Sequence, residues 1–385
     1  MNKKTTLPLL YITGFIFALR TAIPTYINST FLLKFISEKN IGFIYVFGSV
    51  ITLTLFLFLP KILKKIGNYK LAVFLSTINI LGLFGLSFLT NPLFLLISFI
   101  ISLTSTTIIG FCLDIFVERN TDDRTTGKIR SFFLTSINLA WLFSPSIAGL
   151  IVGIADYSKI YLFSTILMLP VIILFITSLR KFQDAEYKSF SILETFKILL
   201  IDKNLFSITK LCFILNFFYS WMIIYIPIYL NTYIGFDWKE IGLMFSIMLL
   251  PFVFIEIPLG KLADTKFGEK EILSLGVLII AVSVGIISFI DEKNFMLWAL
   301  ILLMTRIGAS MTEIMSETYF FKKINSSDAN ILSIYRMMSP LAYIFGPIVA
   351  SMLLYYSLDI KYLFIILGFI VLYGLKYSFR IEDTK

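Results

Sequence analysis

Apolar residues run through this chain in stretches long enough to cross a bilayer, each broken by a short polar segment. A helix needs about 20 predominantly apolar residues to span roughly 30 Å of hydrocarbon. On that measure the pattern predicts twelve transmembrane helices. They cover residues 7–33, 41–60, 71–90, 93–117, 131–155 and 159–179, then 206–232, 240–260, 272–290, 295–320, 330–356 and 361–379. The longest polar stretch, 181–205, separates a six-helix half at 1–180 from a second at 206–385 and reads as a cytoplasmic linker. Within it, Phe190, Leu193, Phe196 and Leu200 fall at helical spacing, so it is either a solvated tether or an interfacial helix.

The two halves repeat one another. Ile23-Pro24-Thr25-Tyr26-Ile27-Asn28 returns as Ile226-Pro227-Ile228-Tyr229-Leu230-Asn231, and Asp114 and Glu118 return as Glu313 and Glu317. Ser144-Pro145 is echoed by Gly346-Pro347, and Pro60 through Gly67 by Gly260 through Gly268, all at offsets between 199 and 203. A duplicated membrane bundle is the sequence mark of a transporter that rocks about a site between its halves.

Composition narrows the class. With 58% hydrophobic and 15% charged residues and a mean hydropathy of +0.90, a soluble globular domain is excluded. The net charge of +9 does not point to nucleic acid, because its distribution follows the membrane. If both termini are cytoplasmic, 24 of the 33 Lys and Arg fall on cytoplasmic segments. That is the positive-inside pattern of a multi-pass protein of the cytoplasmic (inner) membrane. Lys3 and Lys4 lead into a long apolar run with no cleavage-site signature, so the first helix is expected to be retained. Cys112 and Cys212 lie in apolar helices and form neither a disulfide framework nor a metal site, and the chain has no histidine. No cofactor is expected. A phosphate-binding Gly-x4-Gly-Lys-Ser/Thr loop is absent, which argues against ATP-driven transport and leaves an ion gradient or passive movement.

Gly260-Lys261-Leu262-Ala263-Asp264 through Gly268-Glu269-Lys270 resembles the Gly-x-x-x-Asp-x-x-Gly-x-Lys/Arg loop of the major facilitator superfamily, at that family's place between the eighth and ninth helices. The resemblance extends over the whole chain through span count, repeat and central linker. It implies a twelve-helix, all-α secondary transporter in two pseudo-repeated halves, moving a small solute by alternating access as a symporter or antiporter. It also implies a cavity lined by helices 1, 4, 7 and 10, and a gating contact from Asp264 and Gly268 toward Arg130 in the opposite half. The first-half loop departs from the pattern, with Pro60 for the first glycine and Lys64 for the aspartate.

Charges inside the spans mark the candidate site, since each costs about 2.5–3.5 kcal/mol at the bilayer centre and is expected to face water or another charge. On helix 4, Thr107, Phe111, Asp114 and Glu118 share one face; on helix 10, Arg306, Ser310, Glu313 and Glu317 repeat the same spacings. Arg20 lies near mid-membrane in helix 1, and Arg306 is similarly deep. Either these arginines pair with Asp114 and Glu313, or they grip an anionic or zwitterionic substrate through the planar guanidinium fork, or they serve coupling and gating. Asn28, Asn138, Asn216 and Asn231 add amides to the substrate-binding set, and Asp114 and Glu313 are the candidate proton carriers. Glu118, Arg130, Glu317 and Arg336 end helices 4, 5, 10 and 11, where either cross pairing of Glu118 with Arg336 and of Glu317 with Arg130 holds the halves together or each charge pairs within its own half.

The expected partners are therefore a small-molecule substrate, protons and the lipid bilayer, with the chain a monomer and not an enzyme. Three alternatives stand beside this reading. The aromatic-rich spans suit export of drugs or amphipathic compounds by the same fold. Asp114-x3-Glu118-x3-Asp122 imitates the Mg²⁺-binding run of an intramembrane prenyltransferase. A non-transporting sensor built on a transporter fold is the third.

Overall fold

A computed structural model describes residues 3–119, 126–180, 182, 201–255, 258–259, 268–323, 329–356 and 359–382. All regular structure among them is helical. The long helices are α1 (Lys3–Thr25), α2 (Glu38–Ile66), α3 (Asn68–Phe88), α4 (Pro92–Arg119), α5 (Thr126–Ile154) and α6 (Tyr157–Ser178), followed by α7 (Lys203–Ile228), α8 (Trp238–Phe254), α9 (Glu269–Ile287), α10 (Phe295–Lys323), α11 (Ala329–Tyr355) and α12 (Lys361–Leu372). Eleven helices among the described residues are long and apolar enough to cross a membrane. The remaining one, α8, is described over 17 residues, and much of its expected continuation toward 260 lies outside the described residues.

The repeated Ile-Pro motif breaks a helix in each half. Proline has no N–H to give the helix ladder and its ring crowds the preceding turn. α1 accordingly stops at Thr25, one residue after Pro24, and a separate five-residue helix begins at Asn28. α7 carries Pro227 and opens at Tyr229 into a π turn over Tyr229–Tyr233. Asn231 closes that turn by donating from Nδ2 to the Phe236 carbonyl at 2.9 Å. Asn28 accepts from the Tyr161 hydroxyl at 2.9 Å. Two of the amides expected at the substrate thus hold backbone or side chain in place.

Other helix ends have local causes. The Asp202 side chain accepts the N–H groups of Asn204 and Leu205 at 2.8 and 3.0 Å and caps α7. Between α2 and α3 the chain turns on Gly67 at φ 79°, a backbone setting that favours glycine. Its counterpart Gly268 has φ −99°, an ordinary extended value, and its N–H donates to Glu271 Oε2 at 3.3 Å.

The contacts divide the chain into two compact units. Unit 1 comprises residues 1–37, 47–189 and 237–243. In it α1 packs on α5 and α6, and α3 on α4 and α6. Unit 2 comprises 38–46, 190–236 and 244–385. There α9 packs on α10 and α12, and α7 on α11 and α10. Outward-facing apolar side chains such as Phe84, Ile173, Phe289 and Phe369 are exposed, as suits helices solvated by lipid.

Candidate functional site

Unit 1 uses its deep arginine to join three helices. Arg20 of α1 is 1% exposed and donates from Nη1 to Asn79 Oδ1 of α3 at 2.9 Å and from Nη2 to Thr106 Oγ1 of α4 at 2.5 Å. Asn79 in turn donates to the Ser102 carbonyl and to the hydroxyls of Ser105 and Thr106. A buried guanidinium is tolerable when its donors are met, and neutral oxygens meet two of them here. Asp114, the alternative partner for Arg20, has an exposed side chain about two turns beyond Thr106 along α4. Asn138 of α5 is half-buried, and Trp141 stands edge-on to Tyr26 at 6.5 Å between ring centroids.

Unit 2 treats its deep arginine differently. Arg306 of α10 is 2% exposed, its guanidinium carbon lies 5.2 Å from the ring centroids of Phe218 and Tyr219, and its Nε and Nη2 have no hydrogen-bond partner. The two rings supply the cation with aromatic faces. They leave two donors unused.

Beside it is a cleft of about 190 Å³ between α7, α10 and α11. Cys212, Leu215, Asn216 and Tyr219 come from α7, Glu313, Ser316 and Glu317 from α10, and Tyr335, Arg336 and Ser339 from α11. The Tyr219 hydroxyl donates to Glu313 Oε2 at 2.6 Å. Arg336 reaches both Glu317 oxygens, at 2.8 and 3.5 Å, so each of these residues finds its partner inside unit 2. This pair joins α11 to α10 within unit 2, and the side chains of Glu118 and Arg130, the expected partners across the halves, lie outside the described residues. Asn216 donates from Nδ2 to the Cys212 carbonyl at 2.9 Å and approaches its sulfur at 3.5 Å, while the Ser316 hydroxyl is buried without a partner.

Of the expected site residues, the structure brings Asn216, Glu313, Glu317 and Arg336 to one cleft, with Arg306 behind Tyr219. Arg20, Asn28 and Asn231 are engaged elsewhere in their own units. Asp264 and the side chains of Glu118 and Arg130 lie outside the described residues. Cys212, Tyr219, Ser316, Tyr335 and Ser339 complete the lining although nothing in their own surroundings along the chain singled them out. The signal for the first two was their register: 212, 216 and 219 share one helical face with Asn216. Among the described residues, no cluster of Cys, Asp and Glu is arranged to hold a metal.

Comparison with known proteins agrees with this architecture. The Major Facilitator Superfamily pattern matches residues 116–329 and 239–383, and the chain belongs to that family of secondary transporters. Its members are transporters and not enzymes. Among solved structures, a POT family transporter in complex with a thioalcohol-conjugated peptide superposes with a TM-score of 0.77 at 14% identity, over 96% of this chain and 94% of that one. A POT family transporter in complex with 5-aminolevulinic acid gives 0.77 at 15% identity with the same coverage. These likenesses define the fold. No curated protein sequence matches significantly.

Proposed function

We propose that this transporter carries a small solute bearing a carboxylate, alone or together with an amine, and that movement through the α7–α10–α11 cleft is coupled to a proton at Glu313. The observation that carries the reading is the row Arg306, Tyr219, Glu313. A buried guanidinium with two unused nitrogens lies behind the cleft wall, and an aromatic ring and a carboxylate of that wall follow it. In the lining itself Arg336 and Glu317 answer each other's charge, which leaves Glu313 as the acid free to exchange a proton or meet an amine. The unused N–H groups of Arg306 are natural donors to a carboxylate, because a buried donor left unmet is costly. A solute with both signs complements this wall. Of the two superposed transporters, one holds a ligand, 5-aminolevulinic acid, with that pairing of groups.

The proposal extends to location: a monomer in the cytoplasmic membrane with both termini inside, as the basic residues favour. Purified protein in liposomes, offered a panel of labelled amino acids, short peptides and carboxylates with and without a pH gradient, tests the whole reading. Accumulation of a carboxylate-bearing solute that stops when the gradient is dissipated supports it. Transport confined to amphipathic cations would replace it with drug export.

A further inference from the structure

The lipid-facing side of unit 2 carries a second hollow that transport does not use. Val282 and Gly285 of α9 and Ile365, Gly368, Phe369 and Leu372 of α12 line a shallow apolar groove of about 120 Å³. Glycine makes it possible. A Cβ on Gly368 would lie 2.9 Å from the Ala281 carbonyl and 3.3 Å from Gly285 Cα, so the two helices meet closely there. A Cβ on Gly285 would meet nothing within 4 Å, so the side chain missing at that position leaves open space on the outer surface. Val282 and Phe369, at 53% and 67% exposure, form walls turned toward lipid.

At the C-terminal end of α12 the stripe turns cationic. Tyr373 follows Phe369, and Lys376 follows Leu372, at one-turn spacing. The short helix Leu375–Ser378 continues along α9, held by a 2.8 Å hydrogen bond between the Ser274 and Ser378 hydroxyls. Lys376 Nζ donates to the Tyr373 hydroxyl at 3.3 Å and lies 5.3 Å from its ring centroid. The Tyr377 ring stands edge-on to Tyr373 at 5.6 Å and to Phe206 of α7 at 6.4 Å, and Lys210 Nζ lies 5.4 Å from the Phe206 ring. Arg380 follows Tyr377 by three residues and adds a third cation to this end of the chain. Among the described residues, no carboxylate pairs with Lys210, Lys376 or Arg380.

We propose that the groove and the cluster together form a binding site for one anionic glycerophospholipid, with an acyl chain along α9 and α12 and the phosphate among Lys376, Lys210 and the tyrosine hydroxyls. A free phosphate would use the cations and leave the groove empty of contacts. A zwitterionic lipid would fill the groove and leave three cations unanswered. An acidic lipid satisfies both, and phenol rings and lysines at the end of a span sit where headgroups lie.

Native mass spectrometry of the full-length protein, equilibrated in micelles with equal amounts of phosphatidylglycerol and phosphatidylcholine of matched chains, tests the site. Phosphatidylglycerol adducts are expected to dominate on the parent. Lys210→Gln, Lys376→Gln and Arg380→Gln, combined, are expected to weaken their retention roughly fivefold per cation. Gly285→Leu, which puts a side chain into the groove from a position where a Cβ meets nothing within 4 Å, is expected to reduce adducts of both lipids. Lys39→Gln, near Tyr355 at the opposite end of the spans, is expected to change nothing. Thermal unfolding of each variant confirms that it is folded. Equal adducts on the parent, an unchanged preference in the triple variant, parent-level retention in Gly285→Leu, an equal loss in Lys39→Gln, or displacement of the lipid by inorganic phosphate would each overturn the proposal.

Discussion

Tyr219 stands between Arg306 and Glu313, offering its ring to the guanidinium at 5.2 Å and its hydroxyl to the carboxylate at 2.6 Å. The two charges on α10 lie seven residues apart, about 10 Å along the axis, and a residue of α7 links them. Any change in the charge of Glu313 therefore reaches Arg306 through a side chain on a different helix. Tyr219→Phe keeps the ring and removes the donor. A hydrogen bond to a charged group is worth about 1.5–3 kcal/mol, so gradient-driven uptake in liposomes is expected to fall roughly ten- to a hundredfold in this variant. Uptake at the parent rate would leave Tyr219 as a packing residue.

Glu313→Gln retains the shape of the side chain and its bond to Tyr219 but fixes the charge at zero. Accumulation driven by a pH gradient is expected to be lost, while exchange of labelled for unlabelled solute across the membrane continues. Both rates are read in the same liposomes, and a variant that still concentrates solute would remove the proton from Glu313.

Replacing each deep arginine by lysine separates scaffold from site. Arg20→Lys loses the fork that reaches Asn79 and Thr106 together, and the buried acceptor left unmet costs about 1–3 kcal/mol. A lowered melting temperature is expected. Arg306→Lys has no such bond to lose and is expected to weaken solute binding with little change in melting. Unchanged affinity in Arg306→Lys would dismiss the carboxylate contact.

Lys322 meets Glu269 at 2.7 Å, and that carboxylate is 1% exposed. Lys322→Gln removes a charged partner from a buried carboxylate and is expected to cost about 1–3 kcal/mol of stability. Adding Glu269→Gln to it is expected to restore most of the loss in a thermal melt. Additive damage in the double variant would mean that the pair does not act as a unit.

Cysteines introduced at Lys39 and Lys293 are expected to react with an impermeant maleimide from outside intact cells, and those at Lys65 and Lys323 only after the membrane is opened. Outside labelling at Lys65 would invert the topology drawn from the basic residues.

Hydropathy alone located the spans because lipid imposes one demand on every helix, whatever its neighbours. The ends were harder to read. α2 runs to Ile66, past the stop expected at Pro60, since the Lys61–Lys65 segment leaves the hydrocarbon without leaving the helix. The charged half of the site was equally legible, for Arg306, Glu313 and Glu317 are conspicuous in an apolar run. Their partners were not. Tyr219 hides in the run Phe217-Phe218-Tyr219, where one hydroxyl among rings carries no pattern of its own. Asn79 was visible as an amide in the middle of a span, but nothing along the chain ties it to Arg20, 59 residues earlier.

That separation bears on how the protein is made. α1 emerges from the ribosome before α3 and α4, carrying Arg20 into the bilayer at a cost of about 2.5–3.5 kcal/mol. Asn79 follows 59 residues later and Thr106 86 residues later, and until both helices arrive the guanidinium has no protein oxygen from either. The first helix is therefore a poor resident of lipid on its own and gains its place only when α3 and α4 join it. Stable placement of α1 in the bilayer is expected to depend on the arrival of α3 and α4.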